Sequence, residues 1–212
     1  MKKIILTMAA VFAFGFANAQ SEVTSDDVTG GKGLSKGDMW VEGSFSFRSG
    51  DVEDSWALNP KIGYMKDDKL GFGGFLAFSG SDNNQLEKST YGFGGFVRYY
   101  FLSLGERKSF QAYGELGLGY SSITTNGAYD DDGDFTPYFD GDHTDGAMNA
   151  NIDLGINYFF TSNWAATFEL ANILSYNNTN PEGGSNSSDL NVNVNLFNNI
   201  FAQPQFGLLY KW

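Results

Sequence analysis

The sequence predicts an all-β chain: an eight-stranded antiparallel up-and-down β-barrel that crosses a membrane. Three observations carry this. Apolar side chains recur at every second position in eight segments, the side-chain period of a strand. The faces so defined hold no charged residue, although 18% of the chain is charged. Aromatic residues gather at the two ends of the segments, as two membrane interfaces require.

Residues 1–19 read as a secretory signal peptide. Lys2-Lys3 form a basic start, Ile4 to Phe16 an apolar run too short to span a bilayer, and Ala17-Asn18-Ala19 a small-residue cleavage site. Loss of Lys2 and Lys3 leaves the chain more acidic than its formal −12. That balance disfavours a nucleic-acid partner. No cysteine is present, so disulfides, thiolate metal sites and thiol nucleophiles are excluded. No cofactor and no bound metal are expected. Residues 20–37 are polar and aperiodic, a flexible N-terminal tail in this reading, and 38–212 form the barrel.

The outward set of the first strand, about 38–48, is Met39, Val41, Gly43, Phe45 and Phe47. The second, about 55–65, offers Trp56, Leu58, Pro60, Ile62 and Tyr64. The third, about 69–79, offers Leu70, Phe72, Gly74, Leu76 and Phe78. The fourth, about 89–101, runs Tyr91, Phe93, Gly95, Val97, Tyr99 and Phe101. The fifth, about 109–121, runs Phe110, Ala112, Gly114, Leu116, Leu118 and Tyr120. The sixth, about 146–159, gives Met148, Ala150, Ile152, Leu154, Ile156 and Tyr158. The seventh, about 163–174, gives Trp164, Ala166, Phe168 and Leu170. The eighth, about 201–212, gives Phe206, Leu208, Tyr210 and Trp212. Links at about 66–68, 102–108 and 160–162 are short. Those at about 49–54, 80–88, 122–145 and 175–200 are longer, as turns and loops alternate in a transmembrane barrel. Residues 189–196 also alternate, and are read as an extramembrane extension of the last hairpin.

The pattern resembles the small outer-membrane β-barrel family of Gram-negative cells, the OmpA-like and OmpX-like barrels, over about 38–212. The resemblance implies an outer-membrane location with both termini periplasmic, and contact with outer-membrane lipid and lipopolysaccharide. It also implies that Phe206, Leu208, Tyr210 and Trp212 are the signal read by the barrel-assembly machinery. No peptidoglycan-anchoring domain is expected.

Eight strands enclose a space that side chains just fill. Glu42, Lys61, Arg98, Glu115, Asp153 and Glu169 all fall on inward faces. Carboxylates this close repel one another unless cations answer them. The expectation is an ion-pair network with Arg98 at its centre that plugs the lumen. Gly71-Phe-Gly-Gly-Phe75 recurs as Gly92-Phe-Gly-Gly-Phe96, and Gly73 and Gly94 are expected to make room for Phe75 and Phe96. The loop 122–145 carries Asp130, Asp131, Asp132, Asp134, Asp140, Asp142 and Asp145, a solvated acidic loop whose spacing fails the calcium-loop pattern. His143, with Asp142, Asp145, Ser121 and Ser122, matches no catalytic motif. Asn177-Asn-Thr179 has the form of a glycosylation sequon and is read as polar loop.

The function expected is a non-enzymatic structural or surface-interaction role through long acidic extracellular loops, whose partner is unknown. A narrow porin-like channel is the alternative, and a lipid-modifying enzyme a third.

Overall fold

The computed structural model describes residues 32–48, 50, 54–82, 86–127, 143–180, 186–192 and 205–212. Nine strands are present among them: β1 (Met39–Arg48), β2 (Asp54–Met65), β3 (Leu70–Asp82), β4 (Leu86–Leu104), β5 (Phe110–Gly127), β6 (His143–Phe159), β7 (Trp164–Asn180), β8 (Ser187–Val192) and β9 (Gln205–Lys211). A short 3-10 turn, Glu106–Lys108, lies between β4 and β5. No described helix is long and apolar enough to cross a membrane.

From β1 to β8 each strand pairs antiparallel with the next, and β9 closes the sheet by pairing with both β1 and β7. The result is a closed barrel of eight staves. The seam is finished by reciprocal bonds between Met39 and Trp212, 3.1 and 3.0 Å long. In the short-turn half, closure through β9 leaves no raw edge for another chain to extend.

Register fixes the tilt. A path along paired residues runs from Trp164 through Tyr210, Val41, Ile62, Gly74, Gly95, Leu118 and Ala150 to Tyr176. It returns to β7 twelve residues from its start, and two of those are bulge residues. Ten ladder steps of stagger around eight strands correspond to a tilt of about 40°.

The apolar faces point out. Phe47, Tyr91, Phe93, Leu118, Met148, Tyr158 and Phe206 are among the most exposed large side chains. The aromatic ends pack in pairs on adjacent strands, Tyr64 on Phe72 and Trp164 on Tyr210 at the short-turn end and Phe78 on Tyr91 at the other, and Tyr210 also stacks on Trp212 two residues along its own strand end. The repeated glycines work crosswise. Gly73 sits opposite Phe96 and Gly94 opposite Phe75, and a methyl on either glycine would meet the facing ring.

Several boundaries differ from expectation. β4, β5, β6 and β7 have 19, 18, 17 and 17 residues, where a bilayer needs about 9–11. The hairpins are therefore several residues longer than a bilayer crossing requires. The β3–β4 link shrinks to 83–85, no longer than the turns at the opposite end. Asn177, Asn178 and Thr179 lie within β7, not in a loop. The register of β7 against β6 also slips twice, so Ala171 and not Leu170 stands opposite outward-facing Leu154. An extra residue at each slip is a β-bulge, which a strict period of two cannot anticipate.

The eighth stave is in two pieces. β8 pairs with the far half of β7, from Leu174 to Thr179, and β9 with its near half, from Trp164 to Glu169. β8 thus extends the last hairpin, and residues 193–200 lie outside the described residues.

Candidate functional site

The interior is layered. At the short-turn end, Leu34, Trp40, Met65, Phe96, Tyr100, Tyr113, Phe159, Ala165 and Leu209 form a buried apolar cluster inside the barrel. Leu34 comes from the segment preceding β1. Gln111 holds that segment with both ends of its amide, accepting from the Leu34 amide at 2.8 Å and donating to the Leu34 carbonyl at 3.1 Å. The Gly33 amide donates to the Arg107 carbonyl and the Gly37 amide to the Met65 carbonyl. Lys211 enters the lumen end, donating to Asp38 at 2.7 Å and to the Gly33 carbonyl at 3.0 Å. Residues 33–37, expected as the end of a flexible tail, instead close the short-turn mouth. Only an aperiodic stretch was visible in the sequence, and one leucine among polar residues gave too little pattern to reveal the docking.

Above this layer sit the charges. Arg98 is fully buried. Its Nη1 and Nη2 donate to the two oxygens of Glu42 at 2.7 and 3.1 Å. Its Nε and Nη2 reach Glu115 Oε2 at 2.7 and 2.6 Å. Lys61 donates to the other oxygen of Glu115 at 2.5 Å. The guanidinium also lies over the Tyr113 ring, 4.0 Å from its centroid, with Phe96 and Trp40 farther off. Arginine suits this place because its planar fork serves two carboxylates while its faces stack on rings.

Four of the six expected lumen residues, Glu42, Lys61, Arg98 and Glu115, are thus brought into one cluster. Lys61 stands opposite Glu42 in the β1–β2 ladder but bonds to Glu115 instead. Asp153 and Glu169 remain apart from it. Asp153 accepts from the amides of Asn151 and Asn172, the second at 2.7 Å. Glu169 makes no hydrogen bond or ion pair among the described residues and faces a cavity. That cavity, about 290 Å³, lies on the long-loop side of the cluster. Lys61, Glu115, Asp153 and Glu169 line it, with a wall rich in asparagine.

The inward aromatics Trp40, Tyr100 and Tyr113 were not singled out from the sequence. Their signal was there: large rings on faces otherwise polar, which a water-filled lumen would not carry.

The remaining candidates are scattered. Asp130, Asp131, Asp132, Asp134, Asp140 and Asp142 lie outside the described residues. The ladder sets His143 opposite Thr125, three to four residues along β5 from Ser122 and Ser121, roughly 10–13 Å of strand. Among the described residues no cluster of His, Asp and Glu is arranged to hold a metal ion. Phe206, Leu208, Tyr210 and Trp212 all lie on or just after the closing strand, with Phe206 against Phe168.

Among solved structures, OprG from Pseudomonas aeruginosa has 16% identity, with 88% of this chain and 99% of that chain covered and a TM-score of 0.47. The N-terminal barrel of OprF from the same organism has 15% identity over 84% and 100%, TM-score 0.45. Outer membrane protein W of E. coli has 14% identity over 85% and 100%, TM-score 0.46. No match was found among curated proteins. The family model for the outer membrane protein β-barrel domain matches residues 5–197. That match covers most of the chain, and the protein belongs to the outer membrane protein β-barrel domain family.

Proposed function

We propose that this outer-membrane barrel is a non-enzymatic scaffold whose lumen is closed to ion flow and whose long-loop end makes the functional contacts. The observation that carries the reading is the two-tier closure: the Arg98 cluster, and beneath it the apolar layer completed by Leu34. Hydrated ions would have to displace buried charge pairs and then packed rings. In this reading the short turns and both termini face the periplasm, and the long-loop end faces outward among lipopolysaccharide. The acidic residues of 128–142 supply much of its charge. Phe206, Leu208, Tyr210 and Trp212 form the strand that the barrel-assembly machinery reads.

The second reading, a narrow porin-like channel, draws support from the cavity on the long-loop side. Recording from the refolded protein in planar bilayers separates the two. The scaffold reading expects a flat baseline, and stepwise ion-selective conductance would overturn it. The separation of His143 from Ser121 and Ser122 along the ladder gives no support to the enzymatic reading.

A further inference from the structure

We infer that the cavity in the long-loop half of the lumen is a binding site for a small organic cation, an ammonium group carried on a molecule with several hydrogen-bonding groups. The first argument is charge. Apart from the Lys211–Asp38 pair at the short-turn end, four described carboxylates inside the barrel, Glu42, Glu115, Asp153 and Glu169, face two basic partners, Arg98 and Lys61. Both basic groups are spent on Glu42 and Glu115. Asp153 and Glu169 are left on the cavity wall with no close ion pair among the described residues, and the Lys61 ammonium, already bonded to Glu115, acts on them only from a distance.

The second argument is the state of Glu169. It lies inside the barrel, half-buried, on the wall of the cavity, and it has no hydrogen bond or ion pair among the described residues. An enclosed carboxylate without a partner is costly, and a cation removes the cost. Asp153 is different, because Asn151 and Asn172 already orient it. Its neighbourhood is a preformed acceptor, not a collapsed one.

The third argument is the lining. Asn149, Asn151 and Asn172 offer carbonyl acceptors and amide donors, and Phe75 adds one apolar surface. Convergent polar groups on a concave wall with one ring are the anatomy of a small-ligand pocket, and the size is near the lower limit of about 300 Å³. A divalent metal fits less well, since no described cluster of three or more acidic or histidine side chains is arranged around a common point. The site does not depend on whether the lumen conducts.

The test is a titration of the refolded, asparagine-labelled full barrel, following side-chain amide resonances of Asn149, Asn151 and Asn172. Glucosamine is the ammonium probe, glucose its neutral counterpart, and calcium chloride the metal arm. The expected result is saturable shifts with glucosamine and none with glucose at equal concentration. Glu169→Gln, which keeps the side chain's shape, is expected to weaken glucosamine binding about tenfold. Equal response to glucose, a response to calcium in place of glucosamine, or no response to any probe would each overturn the inference. The comparison of glucosamine with glucose needs no variant, so it stands even if the substituted barrel does not refold.

Discussion

Arg98 on β4 and Glu42 on β1 are joined by two hydrogen bonds, 2.7 and 3.1 Å long, although two strands of the wall lie between them. The pair is a strut across the lumen. Its charges were costly to bury, so its existence is weak evidence of net stabilisation. Breaking one side is another matter. Arg98→Ala leaves Glu42 and most of Glu115 enclosed without an answer, and is expected to cost about 3–5 kcal/mol in urea unfolding from lipid vesicles. Arg98→Lys keeps the charge but loses the fork and the stacking on Tyr113, and should fall between. If Arg98→Ala changed neither stability nor bilayer conductance, the closed-lumen reading would be lost.

The second tier gives an independent prediction. Leu34 is fully buried and held by Gln111. Leu34→Ala is expected to cost about 2–4 kcal/mol of docking free energy, the usual penalty for a cavity of this kind. Gln111→Ala removes both backbone bonds and acts in the same direction. The loss is local, because residues 33–37 can undock while the strands stay paired. Limited trypsin digestion reports it directly: cleavage after Lys36 should accelerate in both variants, with the barrel itself still resistant. Unchanged cleavage would mean that the segment is not held as the structure shows.

How far each tier was legible follows from what a strand records. Period two sorts residues into two faces, so the outward wall from Val41 to Tyr210 and the inward charges could be read directly. Period says nothing of which inward carboxylate meets which cation. Lys61 faces Glu42 in the ladder, yet its ammonium reaches Glu115 across the barrel. That choice depends on tilt and on side-chain length, which act in three dimensions. Leu34 was invisible because docking of an irregular segment leaves no periodic trace. The bulges at Leu170 and Ile173 were invisible because each adds a residue that no local residue type demands.

A third prediction concerns the close approach of Gly155 and Tyr113. The two face each other across β5 and β6, and a methyl on Gly155 would overlap the phenol ring. Tyr113 cannot yield freely, since its other face lies on Arg98 and its hydroxyl is 3.5 Å from that of Thr167. Gly155→Ala should therefore destabilise the barrel by about 1–3 kcal/mol through overpacking. Gly114→Ala is the control: its added methyl would meet only ordinary contacts with Leu154 and the Asp153 carbonyl on the outer side. Paired unfolding curves showing equal loss for the two would refute the assignment of Tyr113 to a tightly packed interior.

Acidity should loosen the short-turn mouth. Asp67 accepts from the backbone amides of Lys69 and Leu70 at 2.8 and 2.9 Å, and these bonds hold its carboxyl below its ordinary range. Asp68 accepts from the Lys36 amide at 3.1 Å, and that bond, with Lys108 nearby, lowers its carboxyl too. Groups depressed on folding add stability that is present above the unfolded value and lost as pH falls through the folded one. Both side chains are exposed, so the effect is local ordering and not global stability. Amide resonances of Lys69 and Leu70 should titrate with Asp67 and that of Lys36 with Asp68, each with a midpoint below that of an ordinary aspartate. Asp68→Asn should abolish the response at Lys36 alone.

The closing strand supplies the last prediction. β9 carries Phe206, Leu208 and Tyr210 on the outer face, and Trp212 follows with its amide and carbonyl bonded to Met39. The wall role of these residues and their proposed recognition role can be separated by substitution. As lipid-facing side chains they contribute burial in hydrocarbon, so Phe206→Ser and Trp212→Ser should each lower the stability of the refolded barrel modestly. In the proposed recognition role they would be read before the barrel exists, when β9 is unpaired. The assembly role predicts a far larger loss in insertion by reconstituted assembly machinery than in spontaneous refolding into detergent. A substitution on the inner face, Leu209→Ala, removes a fully buried side chain and should show the opposite bias, with stability falling more than catalysed insertion. Equal losses in both assays for the outward pair would leave these residues as wall alone and withdraw the recognition role from them.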